Sequence, residues 1–141
     1  MTSSNRRPNR TLGGVHDRFW ELCQRQRLFL QRCSSCAQFQ WPPEEACEKC
    51  GHDRLEWTEV SGRGTLASWC TFVQKYYDAL EVPYDTVLVA LEEGPLFISN
   101  PAGFTNDEAR LGDVVEVEFV AASDDAGEFF LPVFARVASQ T

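Results

Sequence analysis

Apolar residues recur at helical spacing at Val15, Phe19, Leu22 and Cys23, a stripe that predicts one short amphipathic helix ending near residues 25–27. Trp20 falls outside the stripe, so it is a candidate anchor for a partner or packs on the segment that follows. The pattern then shifts to short extended runs. Residues 28–32 read as a strand, and residues 39–43 as its return, ended by Pro42 and Pro43. Residues 55–60 alternate apolar with polar, and Ser61-Gly-Arg-Gly64 turns the chain into a new region. Five strands follow, at 65–73, 86–92, 96–100, 114–120 and 129–137. Glu93-Gly-Pro95 makes a hairpin-like turn between the second and third, and a short helix or turn at 106–110 precedes the fourth. This order matches an OB-fold barrel. The fold class expected is therefore α+β, mainly β: a flexible tail over 1–14, a helix and ribbon over 15–60, and an OB-fold domain over 61–141.

The strand pairs before residue 61 are too short to bury a core, and the cysteines supply what is missing. Cys33, Cys36, Cys47 and Cys50 form a C-x2-C-x10-C-x2-C array, the spacing of two knuckles that close a tetrahedral thiolate site around one ion. Zn2+ is the expected metal and its role structural, because four thiolates leave no position for water or substrate. Such a site contributes on the order of 10 kcal/mol of folding energy. Iron also suits four thiolates and would give a coloured protein. Disulfides would need a secretory context, and Met1-Thr-Ser-Ser-Asn-Arg-Arg carries no apolar run of the signal-peptide kind. Cys23 and Cys70 stand alone in apolar surroundings and read as buried, unreactive thiols. His52 reads as a surface turn residue.

Charge separates the two halves. Residues 1–54 hold nine Lys or Arg against six Asp or Glu, whereas residues 55–141 hold four against fifteen, within a net charge of −8. An acidic barrel repels a phosphate backbone, and its second and third strands hold no Lys or Arg. A nucleic-acid-binding zinc ribbon and OB module is therefore the alternative reading, not the preferred one. No run approaches the ~20 apolar residues of a membrane span, and a soluble cytoplasmic protein is expected. A catalytic set is not evident. The histidines are His16 and His52, and the carboxylate pairs Glu92-Glu93, Asp107-Glu108 and Asp124-Asp125 fall at strand ends or turns, where solvation accounts for them. The insertion at 74–85 is unusually aromatic. Tyr76, Tyr77 and Tyr84 either fold over the barrel mouth as a lid or form a contact surface for a ligand or partner.

Several motifs in order resemble a known family: Phe19-Trp20-Glu21, Leu30-Gln-Arg-Cys-x-x-Cys36, Phe39-x-Trp-Pro-Pro43, Cys47-x-x-Cys-Gly51, Trp57-x-x-Val-Ser-Gly-Arg-Gly64 and Leu131-Pro-Val-Phe134. Together they look like the acyl-CoA-associated OB-fold family with a rubredoxin-like zinc ribbon, known as domain of unknown function thirty-five. The resemblance implies an accessory subunit, not catalytic alone, in a complex with a thiolase-superfamily protein. The reaction implied is acyl transfer, thiolysis or retro-aldol cleavage of an acyl-CoA, steroid side-chain esters among them. On that reading Trp20, Tyr76, Tyr77, Tyr84 and Phe104 would face the partner, and Arg63 and Lys75 would meet coenzyme A phosphates.

Overall fold

The computed structural model describes residues 5–137. Helix α1 (Val15–Cys23) buries Phe19, Leu22 and Cys23, the predicted stripe, and ends a few residues short of the predicted limit. Strands β1 (Phe29–Cys33), β2 (Phe39–Gln40) and β3 (Leu55–Glu59) form an antiparallel sheet in the order β2-β1-β3. This is the ribbon, and its loops carry the four cysteines.

The second sheet contains β4 (Arg63–Phe72), β5 (Tyr84–Leu91), β6 (Leu96–Ser99), β7 (Pro101–Ala102), β8 (Val114–Asp124) and β9 (Gly127–Arg136), in the order β6-β5-β4-β8-β9-β7. The expected third strand appears as two pieces, β6 and β7, with Asn100 between them. β6 pairs with β5, while β7 pairs in parallel with β9 through Pro101↔Phe134 and Ala102↔Ala135. One stretch of chain thus touches both ends of the sheet, the connectivity of an OB-fold. A single 3-10 turn at Asn106–Glu108 lies before β8. Among the described residues, no helix is long and apolar enough to cross a membrane.

One core serves both sheets. Phe19, Leu28 and Leu30 from the helix and ribbon are packed in the same cluster as Leu66, Val87, Phe97, Val115 and Phe134 of the barrel. Aromatic rings bridge the two: Phe19 lies 4.5 Å from Trp41, Trp41 lies 4.5 Å from Phe97, and Phe97 lies 5.9 Å from Phe134. Rings at these separations add direction to the apolar burial and set how the ribbon sits on the barrel.

Gly64, at the start of β4, is required by close approach. A Cβ there would lie 2.5 Å from the Ala90 carbonyl oxygen and 2.7 Å from Val89 Cγ1. Since the nearer contact is backbone, the β4–β5 pairing would have to open. Gly64→Ala is expected to cost about 1–3 kcal/mol, the range for overpacking a close-packed site, read as a lower thermal midpoint with zinc content unchanged.

The structure departs from the mobile-tail reading for residues 5–14. Arg6 forms a bridge with Ser123, and the Arg7 amide donates to the Ser123 carbonyl at 2.8 Å. Arg10 then closes on Asp124: its Nε donates to Oδ2 at 2.8 Å and its backbone N–H to the same oxygen at 3.0 Å. The segment is a strap along the β8–β9 hairpin. Polarity and arginine content suggested disorder, but here the arginines find carboxylates more than a hundred residues away. Residues 1–4 lie outside the described residues.

Candidate functional site

Two knuckles of identical construction hold the cysteines. In the first, the Cys33 amide donates to the Gln38 carbonyl at 3.0 Å and the Ala37 amide to the Cys33 carbonyl at 2.9 Å. In the second, the Cys47 amide donates to His52 O at 2.8 Å and the Gly51 amide to Cys47 O at 2.9 Å. The turn needs positive φ at its fifth position, supplied by Ala37 at 64° and by Gly51 at 78°. Glycine adopts that conformation freely, whereas Ala37 does so under strain.

The sulfurs converge. Cys33 Sγ lies 3.6 Å from Cys50 Sγ, Cys36 Sγ lies 3.6 Å from Cys47 Sγ, and all four fall within 4.8 Å of one another. Tetrahedral Zn–S bonds of about 2.3 Å imply sulfur separations of about 3.8 Å, so the four donors fit a zinc ion. Backbone N–H groups favour the thiolates. The Cys47 thiol is pulled down to about 7, first by the Cys50 amide, and the Cys33 thiol is lowered chiefly by the Cys36 amide. The Ser35 and Lys49 amides also donate to Cys33 and Cys47 sulfur, each at 3.4 Å. His52 accepts the Arg54 amide at Nδ1 and is not among the converging ligands.

Two glutamines that sequence reasoning missed fasten the second knuckle. Gln31 and Gln40 are each 3% exposed. Gln40 Nε2 donates to Gln31 Oε1 at 3.0 Å, and Gln31 Oε1 also accepts the Glu44 amide at 2.9 Å. Gln31 Nε2 donates to the Glu44 carbonyl at 2.9 Å, and Gln40 Oε1 accepts the Glu48 amide at 3.0 Å. Buried amides with their hydrogen bonds satisfied fix one arrangement of the chain between β2 and Cys47. Alternation marked neither residue, since a polar side chain on a ribbon strand reads as solvent-facing.

The proposed partner residues divide. Tyr76 is 62% exposed and Tyr77 53%, and they line a groove of ≈ 730 Å³ with Arg6, Arg7 and Asn9 of the strap. Trp20 and Tyr84 are half-buried and line a second, apolar cavity of ≈ 320 Å³. Arg7 belongs to both. Trp20 also packs edge-on against Phe129 of β9, its ring centroid 5.3 Å away, and its Nε1 donates to the Thr11 carbonyl of the strap at 3.3 Å. Tyr84 stacks on Phe72 at 5.0 Å. Phe104 is a correction: it is 7% exposed, belongs to the core, and has the Arg136 guanidinium 5.2 Å from its ring. The turn at 100–104 folds inward because β7 must reach β9.

Arg63 and Lys75 are not brought together. They flank opposite ends of β4, roughly 30 Å apart at ~3.3 Å per strand residue. Arg63 pairs with Glu116 and reaches Glu92 at 4.0 Å, and Lys75 reaches Glu81 at 3.4 Å. Each candidate phosphate contact thus has exposed carboxylates beside it, in surface pairs of the weak kind. Two further residues, Asp124 and Cys70, differ from expectation, and Cys23 agrees with it. Asp124 is buried, not solvated, and Arg10 holds its carboxyl down at about 2. Cys70 is exposed on the outer face of β4, whereas Cys23 is buried and its thiol is pushed up to about 12 by that burial. Sequence reasoning also missed the outer face of β5 and β6, where Leu88 pairs with Ile98 and Ala90 with Leu96. Ile98 is 68% exposed and Leu96 53%.

Comparison with known proteins agrees with this geometry. Residues 20–56 match the family model of the ChsH2 rubredoxin-like zinc ribbon domain, and residues 57–120 that of the ChsH2 C-terminal OB-fold domain. A probable enoyl-CoA hydratase alpha subunit from Thermomonospora curvata is 32% identical over 123 residues. That match takes in 86% of this chain but only 38% of the longer protein. A DUF35 domain-containing scaffold protein from Pyrococcus furiosus is 30% identical over 106 residues, 73% of this chain and 75% of that protein. Among solved structures, the Ltp2-ChsH2(DUF35) aldolase superposes with a TM-score of 0.75 at 29% identity, over 92% of this chain and 98% of that one. A DUF35-family protein of unknown function from Sulfolobus solfataricus, at 15% identity and a TM-score of 0.56 over 74% and 78% of the two chains, shares the fold.

Proposed function

The chain belongs to the DUF35 family of ChsH2-type zinc-ribbon and OB-fold proteins, and from that premise we propose that it is the accessory, non-catalytic subunit of an enzyme complex acting on an acyl-CoA. Its partner on this reading is a thiolase-superfamily protein, and the reaction is acyl transfer, thiolysis or retro-aldol cleavage. The observation that carries the proposal is the near end-to-end match to a chain of the Ltp2-ChsH2(DUF35) aldolase. That aldolase's name joins a second component to a DUF35 protein, and the same arrangement is proposed for this chain. The relative named as a hydratase subunit and the one named as a scaffold point the same way.

The chemistry of the surface supports this division of labour. The four thiolates use every position around their metal, so the ribbon offers no open coordination site. Its contribution is to hold α1 against the barrel. Beside the strap stand two exposed tyrosines, a residue type that buries large area at small entropy cost and is enriched in interface cores. Their exposure favours contact surface over lid, because a lid would bury them against the core.

The test is purification of the tagged chain from its source cell at physiological salt after nuclease treatment. A thiolase-fold protein recovered in fixed proportion, and reconstituted from the two purified components, is the expected result. A solitary chain, or one that carries only nuclease-sensitive material, would overturn the reading. Replacing Tyr76 and Tyr77 with Ala is expected to weaken the reconstituted complex about tenfold, the order of one interface anchor, with zinc content and thermal midpoint unchanged.

A further inference from the structure

Arg7 is a half-buried cation whose partners among the described residues do not account for it. Its Nη2 donates to Asn100 Oδ1 at 2.7 Å, the side-chain hydrogen bond it makes among the described residues, where it has no carboxylate partner. A guanidinium offers five N–H donors in a planar fork, so four remain for something else. The acids nearby are committed elsewhere: Asp124 is held by Arg10, and Asp125 by Arg6 and Asn9. Asp78 shares the wider groove but forms no ion pair with Arg7. The group is half-buried, and that burial draws its pKa below the ordinary guanidinium value. A half-buried charge without a counter-ion keeps part of its desolvation cost, which an arriving anion would relieve.

The space beside it has a definite character. The ≈ 320 Å³ cavity is lined by Trp20, Trp41, Tyr84, Phe97, Leu131 and Pro132, with Arg7 at its junction with the wider groove. That volume lies at the small end of small-molecule sites, which are mostly apolar with a few placed polar groups. The polar side chains at the same end are occupied: Ser99 Oγ donates to Pro132 O at 2.9 Å, and Asn100 Nδ2 to Asp85 O at 2.8 Å. The hydroxyls of Tyr84 and Thr86 also line this space, and Arg7 is the one charged side chain among its described lining residues, at one end of a mostly apolar cleft.

We infer that this cavity binds an apolar carboxylic acid, its chain or ring body among the aromatic side chains and its carboxylate on the Arg7 guanidinium. A planar carboxylate matches the guanidinium fork in two parallel hydrogen bonds. The inference concerns the isolated chain and stands apart from the identity of any partner. It also places the anion contact at Arg7, away from Arg63 and Lys75.

The test is a titration of the zinc-loaded full chain with octanoate, octanol and inorganic phosphate, followed by tryptophan fluorescence, since Trp20 and Trp41 line the cavity. Octanoate is expected to bind saturably and at least tenfold more tightly than octanol, with phosphate far weaker than either. Arg7→Gln should lower octanoate to the affinity of octanol and leave octanol unchanged, while Arg7→Lys keeps part of the preference. The strap remains tied by Arg10 and Asp124 in these variants, and thermal melts confirm that they are folded. The proposal fails if octanoate does not bind the unaltered chain, if octanol or phosphate binds as well as octanoate, or if Arg7→Gln keeps the preference.

Discussion

Replacing Cys47 with Ser is expected to leave the protein without stoichiometric zinc and to cost more stability than any other single substitution proposed for this chain. Cys47 occupies the first position of its knuckle, where its own amide and carbonyl both close the turn and its sulfur accepts the Lys49 amide. The serine hydroxyl is a hard, poorly ionised donor, and the remaining thiolates form an incomplete site. Metal binding and folding are coupled in ribbons of this kind, with about 10 kcal/mol or more at stake. The loss also spreads beyond the ribbon. Leu28, Leu30 and Trp41 pack into the cluster shared with Phe97 and Phe134, so a loosened ribbon uncovers one side of the barrel core. Metal analysis after dialysis and a thermal melt check this together. A variant with one equivalent of zinc and the parent midpoint would refute the four-cysteine site.

Asp124→Asn should be the next most damaging substitution. The Asp124 side chain is 1% exposed and Arg10 11%, and the carboxylate accepts the Arg10 guanidinium, the Arg10 amide and the Ala126 amide. Removing one member of a buried, hydrogen-bonded pair leaves the other charge uncompensated, typically at a cost of about 3–5 kcal/mol. Arg10 also stacks 4.1 Å from Phe129 and 5.5 Å from Trp20. Loss of the pair therefore frees the strap, opens both cavities at Arg7 and shifts Trp20. Faster amide exchange over residues 5–14 and altered tryptophan fluorescence should accompany the lower midpoint.

The pH dependence follows from the same pair. The Asp124 carboxyl titrates at about 2 in the folded protein, against 3.8 ordinarily, because Arg10 hydrogen-bonds its charged form. A carboxyl depressed on folding adds stability above its unfolded value and loses it as pH falls through the folded one. The difference in stability between parent and Asp124→Asn should thus be constant above about pH 5 and narrow toward pH 2. Comparing the two proteins at each pH removes the acid lability of the zinc site, which they share. A difference that does not change between pH 6 and pH 2 would show that the carboxylate charge is not what secures the strap.

Much of the architecture was legible in the chain itself. The stripe of α1, most of the strand positions, the Glu93-Gly-Pro95 turn and the knuckle spacing each depend on residues a few positions apart, where backbone preference and periodicity act directly. The cysteine array is the strongest case, because ligand chemistry permits few geometries and the spacing selects one. Phe104 shows where this kind of reading ends. A phenylalanine in an Asn-Pro-Ala-Gly-Phe turn looks exposed until β7 is seen to pair with β9, which carries that turn onto the core. Gln31 and Gln40 look solvent-facing until each is found completing the other's hydrogen bonds.

The amino-acid sequence by itself determined the metal site, the helix, the ribbon and the barrel, since each is specified by local pattern or by ligand spacing. The tertiary structure alone decided which charges are spent and which are open. Arg63 and Lys75 stood alone on paper and lie beside exposed carboxylates in the fold, Asp124 was a turn acid and became a buried anchor, and Arg7 was one of several tail arginines and became the half-buried cation between two cavities. The physical reason is that the energy of a charge depends on its solvation and its counter-ion, and Arg10 meets its counter-ion 114 residues along the chain.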